Sequence, residues 1–343
     1  MILAGCPSNF DTNKNNSNND QQQTGKTWVS YNYVLFNTES KITSYIGETQ
    51  EEFEKNSTLA YQMLEEYHKL FDIYYEYSGI NNLRTINLNA GGEAVEVDQK
   101  LIDFLLYAKD IYDKTSGETN VMLGSVLKLW HDARKAKNYV PKMEDLQEAN
   151  KHTSIDLLEI DDETNTVKIT DPLASIDVGA LGKGYATEKV AQHLESIGCT
   201  SYVLSIGGNL RTIGSRPDGS AWTTGVRNPR AFLDTDPAYS LYLKIKDISC
   251  VTSGDYERYY FYEGKRYHHI IDKDTLMPAE HFASITILVK DSGLADALST
   301  ALFAMSYEQG KALIETLEED VEVIWIDLNG KVTYTDGVLP IEL

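Results

Sequence analysis

The stretch DVGALGKGYA, Asp177–Ala186, sets three glycines and a lysine between an apolar run and an amphipathic one. A P-loop would need a glycine five positions before Gly182 and a Ser or Thr after Lys183. Asp177 and Gly184 stand there instead. The glycine spacing of a dinucleotide-binding βαβ unit fails as well. The fold must therefore be read from what surrounds the loop. ASIDVGA before it reads as a strand, and YATEKVAQHLESIG after it as a helix. Ala186, Val190, Leu194 and Ile197 form that helix's apolar stripe, and Gly198 ends it. A strand, SYVLSI, and the pair Gly207–Gly208 follow. A loop entering a helix has free backbone amides pointing at it, which suits an anion.

Toward the N-terminus the texture is mostly helical. WVSYNYVLFNT reads as a strand, and Glu51 to about Tyr77 as a helix with Leu64, Tyr67, His68 and Phe71 on one face. Asp98 caps a helix carrying Leu101, Leu105, Ala108 and Tyr112, closed by Gly117. VLKLWHDARKA and PKMEDLQEA are two more helices, with Pro141 in the first turn of the second. SIDLLEI and NTVKIT are short strands. Toward the C-terminus strands dominate: AWTTGVRN, YSLYLKIKD, SCVTSG, YERYYFYE, RYHHIID, ASITILVK, VEVIWID and VTYT. DSGLADALSTALFAMS is a helix started by Asp291 or Ser292. Early helices and late antiparallel-looking strands predict an α+β fold, not a doubly wound parallel sheet.

The chain has 343 residues and a net charge of −21. That charge argues against nucleic acid as a partner, because phosphate backbones are gripped by clustered Lys and Arg. An anionic ligand needs a local device: amides, a lysine or a bound cation. The cysteines, Cys6, Cys199 and Cys250, give neither a disulfide framework nor a zinc pattern. Cys199 and Cys250 read as small buried side chains. ILAGC at Cys6 resembles a bacterial lipoprotein lipobox, and the Asn/Gln-rich tract after it reads as a disordered tether. The expected organisation is a lipobox remnant and tether over 1–25 and a folded domain over 26–343. Only five residues precede Cys6, too few for a signal's charged and apolar regions.

Several residues can carry chemistry. Asp296 and Thr300 lie four apart on a helix and share a face, where hard oxygens suit Mg²⁺; such a pair also serves as a cap or a surface feature. His268 and His269 read as opposite faces of a strand, so one is a candidate general base and the other packs. Asp272 follows in a turn. Ser253, Gly254 and Tyr256 end a strand and can present a hydroxyl and an aromatic face to a flat ligand, or form a simple turn. Gly207 and Gly208 permit close backbone approach, or mark a bulge.

Taken in order, DVGALGKGYATEK, SIGGNL, WTTGVRNP, TSGDYERYY, YHHIIDKDT and LADALSTALF strongly resemble the ApbE family of FAD:protein FMN transferases. LFNTES, INNLRTIN and TSGETNVMLGSVLKLW look like that family's N-terminal segments, so the resemblance covers about residues 28–340. It implies a T-fold-like α+β catalytic domain with two subdomains, and Mg²⁺-dependent transfer of FMN from FAD to a Ser or Thr of a target redox protein, releasing AMP. Asp296 and Thr300 match the family's side-chain metal ligands, and a backbone carbonyl near Ala180 the third. Lys183 becomes a phosphate partner. His269 matches the catalytic histidine. Ser253 and Tyr256 match flavin-nucleotide contacts, with Asn37, Gly207, Gly208 and Asp272 in the same cofactor-binding set. The implied partners are FAD, an exported acceptor protein and, through Cys6, the outer face of the cell membrane.

Some positions depart from the family pattern. Phe36–Thr38 stands where many members have Met-Gly-Thr, Asn120 and Asn209 where Asp is frequent, Lys273 where Pro is, and Leu276 where Gly is. The other readings are an FAD-binding lipoprotein without transfer activity and a Mg²⁺-dependent FAD pyrophosphatase.

Overall fold

Alternating apolar residues dictate a sheet buried on both faces. Side chains of adjacent strand residues point to opposite sides. Leu204, Val251 and Trp325 enter one core, while their neighbours Val203, Cys250 and Ile324 enter another. The computed structural model describes residues 21–24, 27–45, 49–231 and 233–342. Its main sheet has nine strands. They are Gln21–Thr24, Thr27–Asn32, Ser40–Tyr45, Ser201–Ile206, Asn209–Gly214, Ser249–Gly254, Phe282–Val289, Glu322–Asp327 and Val332–Tyr334. They lie side by side in chain order, each antiparallel to the next. The expected α+β class is what forms.

One face of the sheet carries the helices, including Gly182–Ser196 (the loop helix) and Ser292–Ala304 (the carboxylate helix). The other face carries a three-stranded sheet of Trp222–Arg227, Tyr239–Ile245 and Pro340–Ile341. A third cluster joins the helices Gly124–Ala136 and Met143–Asn150 to the hairpin Tyr260–Tyr262/Lys265–Tyr267. Trp130 anchors it, donating from its indole to the Leu276 carbonyl at 2.9 Å.

Several elements differ from expectation for local reasons. The first long helix spans Gln50–Phe71 and stops well before Tyr77. Asp72 ends it by accepting from the Tyr74 and Tyr75 amides and the Tyr77 hydroxyl. ASIDVGA is not a strand; Ser175 makes one isolated bridge to Leu123, and Asn87 takes up the Ile176 backbone on both sides. RYHHIID is a strand only to Tyr267, which pairs with Tyr260 across that hairpin, after which the chain bends. Pro141 sits just ahead of its helix, whose cap is Lys142. Ile197 is exposed beyond the end of the loop helix. Cys6 and most of the tether lie outside the described residues. Gln21–Thr24, expected within the tether, pairs as an edge strand, because Thr27–Asn32 otherwise leaves one row of backbone groups open. Cys250 is buried and Cys199 half-buried.

Candidate active site

The loop becomes helix earlier than its glycines suggest. Gly182 is the first helical residue, so Lys183 and Gly184 lie in the first turn, with their amides free of intrahelical partners. The Gly184 amide donates to Asp296 Oδ2 at 2.8 Å. Asp296 is 4% exposed. Lys183 Nζ stands 3.3 Å from the same oxygen. A carboxylate from one helix thus caps the other. Gly184 is needed for this approach: a Cβ there would lie 2.3 Å from the Ser292 carbonyl and 2.4 Å from Asp296 Cβ.

Ala180 lies two residues before the helix, in the same bend. Thr300 follows Asp296 by one turn and is half-buried. Asp177 shapes the bend by accepting from the Gly179 amide at 2.9 Å. Its other oxygen is 3.7 Å from His131 Nε2, and His131 Nδ1 meets the Tyr74 hydroxyl at 3.1 Å. Burial lowers the His131 pKa, against the pull of Asp177.

His269 lies on the bend after the hairpin, not on a strand, so the opposite-face argument does not apply. His268 is the packing residue: its Nε2 meets the Ala279 carbonyl at 2.8 Å and its ring packs edge-on to Phe303. His269 is half-buried as a residue, and its Nδ1 is sealed from solvent and has no hydrogen-bond partner. Its pKa is pushed well below the usual histidine value, first by loss of water, then by Arg258, Arg134, His268 and Lys183. A strongly acidic protein has gathered positive charge around this ring. Sequence reasoning missed Arg134, Arg258 and His131. His131 and Arg134 sit three apart on one helix, a spacing that could have flagged them.

Ser253 Oγ is 2.8 Å from Ser299 Oγ, and Ser299 donates to the Asp296 carbonyl. That chain ties the strand Ser249–Gly254 to the carboxylate helix. Tyr256 folds onto Gly254, where a Cβ would lie 2.4 Å from the ring, and Arg227 stacks on it at 4.8 Å. Burial pushes the Tyr256 hydroxyl up to about 12. Asp255 pins the turn through Arg230, at 2.9 and 3.0 Å, and Arg266 at 2.7 Å. Gly207 and Gly208 form a two-residue hairpin turn, both with positive φ. A Cβ at Gly207 would lie 2.6 Å from Thr38 Oγ1, so this turn packs on the segment holding Asn37. Asn37 is exposed with φ 53°. Asp272 Oδ1 accepts from the Asp274 and Thr275 amides and closes its own turn.

Two departures from the family pattern become intelligible. Asn37 and Leu276 stand where glycine is common, and both have positive φ. Lys273 pairs with Glu118 at 3.2 Å and Asp274 at 2.9 Å.

Comparison with known proteins gives the family. The sequence model of the ApbE family matches residues 36–325. A Treponema pallidum protein named FAD:protein FMN transferase is 31% identical over 273 residues, 75% of this chain and 74% of that one. A Haemophilus influenzae protein of the same name is 28% identical over 90% of this chain and 87% of its own. The ApbE protein of Thermotoga maritima superimposes with a TM-score of 0.79 at 27% identity, covering 91% of this chain and 97% of that one. The flavin transferase ApbE of Vibrio cholerae gives 0.72 at 27% identity, with 88% and 94% covered.

Proposed function

The chain belongs to the ApbE family, and from that premise we propose that it transfers FMN from FAD to a Ser or Thr hydroxyl of another protein, with Mg²⁺ bound, releasing AMP. The observation that carries this reading is the Asp296 carboxylate held against the first turn of the loop helix beside Lys183. An anion-accepting helix end and a hard cation ligand meet at one point.

The residues fit Mg²⁺. Asp296, Thr300 and the Ala180 carbonyl are all oxygen donors of the kind it prefers. Among the described residues, no cluster of three or more His, Cys, Asp or Glu could hold a metal. A single carboxylate leaves positions for diphosphate oxygens. Bound Mg²⁺ supplies charge neutralisation on the diphosphate and the departing AMP. Lys183, at the first turn of the loop helix, holds phosphate oxygens. His269 takes the proton from the acceptor hydroxyl as its oxygen bonds to the FMN phosphorus and the bond to AMP breaks. Its low pKa keeps it neutral and free to accept. The arriving diphosphate offsets Arg134, Arg258 and Lys183, so the ring becomes a stronger base with substrate present. Ser253, Tyr256, Asn37, Gly207, Gly208 and Asp272 complete the reading as nucleotide contacts.

FAD, Mg²⁺ and an acceptor protein in one tube test it. Covalent flavin fluorescence on the acceptor band is expected. AMP and free FMN without labelling would mean hydrolysis, and intact FAD would mean binding only. Acylation of Cys6 belongs to the same reading, supported by ILAGC, and puts the enzyme on the outer face of the cell membrane among exported acceptors.

A further inference from the structure

The contact between the two helices is reciprocal. Asp296 of the carboxylate helix accepts from the Gly184 amide of the loop helix. Glu188 of the loop helix accepts from the Ser292 amide of the carboxylate helix at 3.0 Å. Gly184 and Glu188 are four apart, as are Ser292 and Asp296. One helical turn on each side and two charge-assisted bonds therefore close a ring. Neither bond can shift without straining the other.

Glu188 has its own anchor. Arg211, on the strand Asn209–Gly214, is fully buried and donates from Nε to Glu188 Oε2 at 3.1 Å. That oxygen is the one the Ser292 amide uses. Arg211 also donates to Glu195 at 2.9 Å, to the Thr212 carbonyl, and stands 3.4 Å from Asp247. Glu188 is 5% exposed. Burying an arginine and a carboxylate is costly, and replacement by apolar residues is often neutral or better for stability. A network of this kind need not be there for stability.

We propose that Glu188, fixed by Arg211, is a positioning residue for Asp296: it sets the height of the carboxylate helix against the loop so that the metal-ligand carboxylate meets the Gly184 amide and the bend at Ala180. This rests on the reading of Asp296 as a ligand. Glu188 touches neither metal nor substrate in that reading. It acts through the Ser292 amide, one turn from Asp296. Hydrogen-bond partners behind metal ligands typically contribute about 10–100-fold in metal affinity.

The test compares two carboxylates that share Arg211. Glu188→Gln and Glu195→Gln each remove one negative charge from the same guanidinium, but only Glu188 reaches Ser292. Glu188→Asp keeps the charge and shortens the reach, and serves if Glu188→Gln folds poorly. Mn²⁺ is titrated by EPR into each full-length protein with ADP as an unreactive diphosphate, and Tm is recorded. Glu188→Gln and Glu188→Asp are expected to weaken Mn²⁺ binding by about tenfold or more, while Glu195→Gln leaves it within about twofold at a comparable loss of Tm. Unchanged Mn²⁺ affinity in both Glu188 variants overturns the inference, and so does weakening in Glu195→Gln that tracks Tm equally. Mn²⁺ binding that survives Asp296→Asn in the otherwise unaltered protein overturns the ligand assignment and this inference with it.

Discussion

His269 carries the most specific residue-level claim. Its Nδ1 is sealed and unpartnered, and loss of water, reinforced by positive neighbours, lowers its pKa. His269→Ala should lower the transfer rate by about 10²–10⁴-fold with FAD affinity nearly unchanged in a fluorescence titration. Equal loss of both would make the ring structural. The same burial has a signed consequence for stability. His131, His268 and His269 all have folded pKa values below the ordinary 6.5. Unfolded, they take up protons as pH falls through 6.5; folded, they resist until lower pH. Their contribution is thus present above 6.5 and lost as pH drops below it. Urea unfolding from pH 7.5 to 5.5 should show falling stability, less steeply in His269→Asn. A flat profile, or an unaltered slope in the variant, would contradict the assignment. Much of this was legible in sequence: His269, Asp296 and Lys183 sit in distinctive strings. Arg134 and Arg258 were not, because their proximity to His269 arises from a helix and a turn folding onto one another.

At the scale of elements, the helix pair decides the site. Alanine inside a helix ordinarily stabilises relative to glycine by about 0.5–1 kcal/mol. Gly184→Ala should do the reverse, since its methyl meets the Ser292 backbone and Asp296 Cβ at 2.3–2.4 Å. Overpacking of this kind costs about 1–3 kcal/mol. Gly182→Ala meets only side-chain carbons of Phe71 and Val178 at 3.2–3.3 Å, so it should be milder. Denaturant midpoints with transfer assays should rank Gly184→Ala well below Gly182→Ala; the opposite order would mean that the helices are not held this closely. Patterning revealed the loop helix through its apolar stripe and the carboxylate helix through an apolar run started at Asp291 or Ser292. It misassigned ASIDVGA and the end of RYHHIID, because short apolar runs look alike whether they pair in a sheet or are held by single side chains such as Asn87 and His268.

The whole molecule is a sequential antiparallel sheet with helices on one face and a small sheet on the other. Trp325 lies in that sheet at 1% exposure and packs edge-on to Tyr307 at 4.9 Å. Trp325→Ala should cost about 3–5 kcal/mol by denaturant unfolding, and a change within experimental scatter would contradict so tight a core. The α+β class was readable from the order of textures. The sheet's chain-order arrangement was not, since long insertions such as residues 46–200 separate strands that pair, and nothing local reports such pairing.

The central claim is a dication held by Asp296, Thr300 and the bend at Ala180, gripping a diphosphate. Anomalous diffraction at the manganese edge, from crystals grown with Mn²⁺ and ADP, tests it most directly. A peak within roughly 2.5 Å of the Asp296 carboxylate, next to the ADP diphosphate, is the predicted result. A diphosphate bound away from the loop helix, or a metal peak remote from Asp296, would contradict it.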